Sequence, residues 1–413
     1  MKAALLFIIL NVFGIAAVAA PFKAHHLHLP DLESPSANYP EKLKSPFIIF
    51  NEKAEAWQTV LQVGPRNLQW LALLNAHRAP ADKIELTTPG TSKGIPIETP
   101  MRYNDPILNE RWNLIEKDLP AELKSVLLSS DPLPTTLNVP VDTYKQWAKK
   151  IDALYSTALR WRGMKNYISY YRELKVYDFR GLHFLAKMGD ADAKKELEQI
   201  ATLPAARQEE LKQWVFGVCS NALEAMEPCL EQLKESLAKN ALFDLYQTHK
   251  TRAAALYDSF FVVQVPRSDI TTTGTSLTMN FRSDADDKIN QFVKINVEDE
   301  FKWLQGFLKI VTAPFAAANI AFKPGVVAHV DSVGGNNIVM NSEISLDSWD
   351  SQWTLRHEFG HVLGFPDCYI EFWDDSEAAY ISYQFDVDNL MCSRAGRFNS
   401  RNEQEMKKAY GIH

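Results

Sequence analysis

The chain has 413 residues, of which 46% are hydrophobic and 23% charged, and it carries a net charge of −7. That length accommodates roughly two or three domains, and the composition is that of a globular protein with sizeable cores rather than a disordered chain. The acidic balance gives no electrostatic footing for nucleic acid or for an anionic membrane surface, so neither is expected as a partner.

Lys2 followed by the apolar run 3–17 and by Ala17-Val18-Ala19 reads as a signal peptide covering residues 1–19. Cleavage after Ala19 is favoured, because a cut after Ala20 would place Pro21 across the scissile bond. The run is too short to span a bilayer, and no later stretch approaches about 18 apolar residues. The mature protein is expected to be secreted or periplasmic, free of the membrane and monomeric. His25, His26 and His28 follow the cleavage point and read as part of a polar N-terminus.

Residues 20–140 hold most of the prolines and read as short helices (54–63, 68–77 and 105–118) joined by loops. Residues 141–255 read as a helical accessory or pro-region. Apolar residues recur there at helical spacing over 144–160, 166–175, 180–187, 191–200, 206–225 and 229–258. The period then changes. Residues 260–265, 276–281 and 325–331 read as strands, and Ser283 to Asp286 reads as the cap of a long helix extending to about residue 318. Gly334-Gly335-Asn336-Asn337 forms a tight turn into a further strand, Asn337-Ile338-Val339-Met340-Asn341.

The chemistry is concentrated in His357-Glu358-Phe359-Gly360-His361-Val362-Leu363-Gly364-Phe365-Pro366-Asp367. On a helix, His357 and His361 project from one face and can reach one Zn²⁺. Glu358 is placed to take a proton from a zinc-bound water. Gly364 stops the helix, since glycine enters the left-handed region without penalty. The turn then presents Asp367 as a third ligand, leaving a fourth position open, as in catalytic rather than structural zinc sites.

This run resembles the metzincin metallopeptidases, whose long HExxHxxGxxH pattern supplies three ligands. The departure is Asp367 in place of the usual histidine, a variant similar to the snapalysin-type small neutral proteases. The resemblance covers residues 256–413 and is strongest from 350 onward. It implies a metzincin-like domain of small twisted sheet, long helix, active-site helix, Met-turn and C-terminal helix, which with the mainly α-helical N-terminal region read from periodicity makes an α+β molecule. It places Met391, in Asn389-Leu390-Met391-Cys392, at the Met-turn, and Asn337–Asn341 at the sheet edge where a peptide substrate lies. Ser400-Arg401-Asn402-Glu403 reads as a capping box for a last helix ending at Tyr410-Gly411.

Export makes the four cysteines interpretable as disulfides. A Cys368–Cys392 bridge would tie the ligand loop to the floor of the site, and Cys219–Cys229 would staple a helical turn; four free thiols are the alternative. Asp374, Asp375 and Glu377, and separately Asp284, Asp286 and Asp287, could hold Ca²⁺, although neither group has the spacing of a calcium loop. Tyr380 or Tyr383 could face an oxyanion. Glu371 and Glu377 are the alternatives to Asp367 as third ligand, while His183 and His329 read as packed or surface residues. The expected function is a secreted zinc endopeptidase acting on protein or peptide substrates. The alternative is an exported zinc-containing binding or scaffold protein without turnover.

Overall fold

The computed structural model describes residues 55–412 apart from 325 and 343. The expected signal peptide and the His25, His26 and His28 cluster lie outside the described residues.

The N-terminal part contains α1 (Val60–Asn75), β1 (Met101–Tyr103), α2 (Asp105–Asp118), α3 (Ala121–Leu127) and α4 (Val141–Met164). The two short helices expected at 54–63 and 68–77 are one helix that continues through Pro65. Gly64 explains how it sits: a Cβ there would fall 2.2 Å from the Tyr155 ring of α4, so only glycine permits the approach. Helix α2 has the expected bounds, with the Asn104 side chain accepting from Ile107 N at its start.

Next come α5 (Ile168–Glu173), α6 (Arg180–Met188), α7 (Asp190–Glu198), α8 (Ala205–Leu223), α9 (Glu227–Ala238) and α10 (Leu242–Ser259). The single helix expected over 229–258 breaks where Asn240 takes a φ of 53°, a conformation asparagine tolerates. Cys219 and Cys229 are disulfide-bonded, joining α8 to α9 rather than stapling one turn.

The last part contains β2 (Ile270–Thr273), β3 (Ser276–Arg282), α11 (Asp287–Glu300), β4 (Lys302–Trp303), β5 (Gly306–Ala313), β6 (Asn319–Lys323), β7 (His329–Val330), β8 (Asn337–Asn341), α12 (Trp349–Val362), β9 (Tyr369–Asp374), β10 (Ala379–Gln384) and α13 (Ser400–Tyr410). Residues 260–265 form no strand. Helix α11 ends at Glu300, not near 318, because Leu308 and Ile310 alternate inward against outward Phe307, Lys309 and Val311, a period of two that only a strand can bury. The strand expected over 325–331 is reduced to His329–Val330. The last helix is capped by Asn399, whose side chain forms the capping box with Asn402, one residue before the expected Ser400.

The strands pair in the orders β2-β3-β5-β4 and β6-β8-β7, and a lone parallel bridge from Phe281 to Ala318 links the two groups. The β3–β5 and β6–β8 pairs are parallel, whereas β7 is antiparallel to β8. Asn337–Asn341 is therefore an inner strand, and the edge on that side belongs to His329–Val330. The expected tight turn is present, and the chain before it pairs with Ile338 and Val339 of β8.

A third sheet, β1-β10-β9, combines Met101–Tyr103 with the strands that follow the ligand turn. One hydrophobic cluster accordingly runs from Trp57 to Phe179 and resumes from Leu256 to Ile412. Helices α6 to α10 enclose a second cluster that includes Leu185, Leu211, Val215 and Leu242. The boundary expected at 140 falls inside the first cluster, whereas the one expected at 255 lies between Ala253, where the second cluster ends, and Leu256, where the first resumes.

Candidate metal centre

Helix α12 opens with the Ser348 hydroxyl accepting from Ser351 N at 3.2 Å. Leu355, Phe359 and Val362 are fully buried along one stripe, which fixes the roll of the helix and sends His357 and His361 to another side. Gly364 ends it with a φ of +90°, and a Cβ there would meet the Val265 carbonyl oxygen at 2.4 Å. Residues 260–265 thus serve as a brace: Gln264 N donates to the Gly364 carbonyl at 2.8 Å.

The ring atoms are aimed by their outer hydrogen bonds. His357 Nδ1 lies 3.0 Å from the Leu390 carbonyl, and His361 Nδ1 lies 2.9 Å from the Phe365 carbonyl. A carbonyl only accepts, so each Nδ1 carries the proton and each Nε2 is left as a ligand atom. The two Nε2 atoms stand 3.2 and 3.4 Å from Asp367 Oδ1. All three ligand atoms lie within 4.8 Å of one another. Asp367 Oδ1 is buried and makes no hydrogen bond of acceptable geometry. A desolvated carboxylate oxygen pointed at two imidazole nitrogens is costly unless a cation lies between them, and the donor set suits one.

The electrostatics agree. Burial works to raise the Asp367 pKa, yet His361 and His357 hold it well below the usual carboxylate range. Burial opposes a charge on His361, but the Asp367 carboxylate lifts its pKa to about 9. The pocket therefore favours positive charge. Glu358 is 6% exposed, and burial raises its pKa; His357 and His361 pull it back, Asp367 adds to the rise and His329 opposes it.

Several contacts hold this arrangement. A Cβ on Gly360 would fall 2.2 Å from Met391 Sδ, so the glycine lets the thioether lie directly against α12. The Asn389 side chain accepts from Met391 N at 2.9 Å, shaping that turn. The Cys368–Cys392 disulfide joins the residue after Asp367 to the residue after Met391, as expected. Arg356, next to His357, pairs with buried Glu300 of α11 at 2.9 Å, and Glu300 also pairs with Arg397 at 2.7 Å. The Tyr410 hydroxyl donates to the Leu363 carbonyl at 2.9 Å, tying the last helix to the end of α12.

Other candidates fall elsewhere. The Tyr380 hydroxyl donates to the Met164 carbonyl and that of Tyr383 to Asp178; both rings are wholly buried, so neither phenol faces an oxyanion. Glu371 is bound by Arg160 at 2.6 Å and Glu377 by Arg180 at 2.8 Å, which accounts for both alternatives to Asp367. Asp374 pairs with Lys175 and Arg180, and Asp375 with Arg172, so that acidic group is neutralised by arginine and lysine rather than arranged for Ca²⁺. Asp286 caps α11 and Asp284 accepts from Asp286 N. His183 contacts Glu98 at 2.9 Å.

Sequence reasoning missed Tyr369 and Arg160. Tyr369 is half-buried; burial and the charges of Asp367, Glu371 and Glu358 raise its pKa, while Arg160 opposes the rise. Its place two residues after the third ligand was a usable signal; Arg160 had none. Comparison of the chain with protein-family models, with curated proteins and with solved structures finds no match.

Proposed function

We propose that this chain is an exported zinc endopeptidase, with His357, His361 and Asp367 as ligands and Glu358 as general base. The reading is supported above all by Asp367 Oδ1, buried without a hydrogen bond and directed at two imidazole Nε2 atoms, next to the buried Glu358. The metzincin resemblance of the motif supports it too. Two disulfides suit an oxidising compartment, and no described helix is long and apolar enough to cross a membrane.

When bound, a zinc ion supplies a Lewis acid that polarises a carbonyl and acidifies water. The protein's own residues do the rest. Glu358, its pKa raised by burial, accepts the proton of the attacking water and returns it to the leaving amine. His357 and His361 are kept in the required tautomer by the Leu390 and Phe365 carbonyls. An extended peptide would lie along the side of the β6-β8-β7 sheet on which His329–Val330 pairs with β8, held by main-chain bonds.

The test joins metal content to casein cleavage. Glu358→Gln should keep the zinc of the wild type and lose activity by about 10²–10⁴-fold, since it preserves shape and removes the base. Comparable turnover in that variant would overturn the role of Glu358.

A further inference from the structure

The Leu390 carbonyl fixes only one atom of the His357 ring. A single hydrogen bond at Nδ1 leaves the imidazole free to swing about it, and a swing carries Nε2 away from the point it shares with His361 and Asp367. Trp353 stands one turn earlier on α12, so its side chain falls on the same face as His357. The two rings are 5.1 Å apart, centroid to centroid, with their planes 23° from parallel. Stacking of flat rings at that distance is favourable, and it blocks the swing on that side. The His361 ring in turn stands edge-on to that of His357, 4.9 Å away at 87°. The plane set by Trp353 is thereby passed on to the second ligand.

Trp353 is itself held. It is 9% exposed, and the Arg394 guanidinium lies over its indole 5.6 Å from the centroid. Arg394 also pairs with Asp350 at 3.5 Å. Because Arg394 follows Met391 by three residues, the contact joins the start of α12 to the turn that supplies the Leu390 carbonyl. The hydrogen bond and the stack on His357 are therefore fixed from one segment. Packing alone does not account for a tryptophan here. Its Nε1 is buried and meets no acceptor among the described residues, a cost of about 1–3 kcal/mol that phenylalanine or leucine would avoid.

We propose that Trp353 is a positioning residue for the metal, its indole holding the plane of His357 and, through it, that of His361. The proposal rests on the peptidase reading, in which both histidines are ligands. Trp353 touches neither metal nor substrate; it decides how precisely the two Nε2 atoms converge.

The experiment uses the full-length chain, freed of metal and titrated with Co²⁺, whose visible absorption follows the geometry of its ligands, and then with Zn²⁺. Trp353→Leu removes the flat ring and should weaken both metals about 10–100-fold, the usual cost of losing a group that orients a ligand. Its Co²⁺ band should also differ from that of the wild type. Trp353→Phe keeps a ring able to stack and should restore both the affinity and the band. A purely structural tryptophan predicts something else: both variants would melt lower without metal, yet bind Co²⁺ with the wild-type affinity and band. That result overturns the proposal, as does equal weakening by leucine and phenylalanine. Trp353→Met guards against misfolding, because its flexible side chain fills the space without offering a plane. Wild-type affinity in a methionine variant with the wild-type circular dichroism overturns the proposal as well. A wild-type chain that binds neither metal would instead sink the peptidase reading on which the role of Trp353 rests.

Discussion

At the scale of single residues, what was legible was what is local. His357, His361, Gly364 and Asp367 lie within one helix and its turn, so helical geometry alone brings them together. Partners that hold the ligands from a distance carry no such spacing: Glu300 reaches Arg356 across 56 positions, and Arg160 reaches Glu371 across 211. The ligand assignment is testable against its alternatives. Asp367→Ala should lower metal affinity beyond the roughly 10–100-fold that losing an outer partner costs, because it removes a ligand rather than a support. Glu371→Ala should leave affinity nearly intact and lower thermal stability by uncovering Arg160. A metal titration ranking the two variants the other way would remove Asp367 from the site.

Elements differ in how well their sequence announces them. Helices α2, α6 and α12 follow from apolar periodicity with clear caps or a glycine stop. The strands are harder, because pairing is a property of two segments: β8 was readable as a strand, but its inner position depends on β7, which is only two residues long. The Cys368–Cys392 bridge acts at this scale, since it fastens the turn after α12 to the turn carrying Met391. Replacing both cysteines by serine should cost about 2–4 kcal/mol of stability, the usual worth of a closed loop of this size, and should also weaken metal binding. The matching change at Cys219 and Cys229 should lower stability without touching the metal, since α8 and α9 belong to the second core. Equal metal loss in the two double variants would show that the first bridge has no special hold on Asp367.

For the molecule as a whole, the sequence suggests a separable N-terminal region, because every ligand and the base lie between His357 and Asp367. The fold answers differently. Strand β1 pairs with β10, and Trp57, Trp70 and Trp112 belong to the same cluster as Phe359 and Met391. A chain starting at Ala255 would expose that shared interface and leave β10 with an open edge. It should fail to fold cooperatively and bind no zinc stoichiometrically, as circular dichroism and metal analysis would report; a folded, zinc-loaded fragment would restore the separable region.

The ionic contacts between the helical part and the third sheet make the same union sensitive to acid. Lys175 and Arg180 pair with Asp374 at 3.0 and 3.1 Å, and Arg180 also reaches Glu377 and Asp178. Burial pushes the Asp374 pKa up, but Ser376, Lys175 and Arg180 outweigh it and leave the pKa below its ordinary value. Glu377 is lowered likewise by Arg102 and Arg180 against its own burial. A carboxylate whose pKa is depressed by folding contributes stability above its unfolded pKa, about 4 for these groups, and loses it as pH falls through the folded value. The wild type should therefore be most stable near neutrality and lose melting temperature below about pH 4. Asp374→Asn should cost about 2 kcal/mol at pH 7, the worth of hydrogen bonds to a charged group. Because protonation removes the same interaction from the wild type, the two melting curves should converge as the pH is lowered. A constant gap between them down to pH about 2 would mean that the Asp374 charge contributes nothing and that asparagine disturbs only the packing.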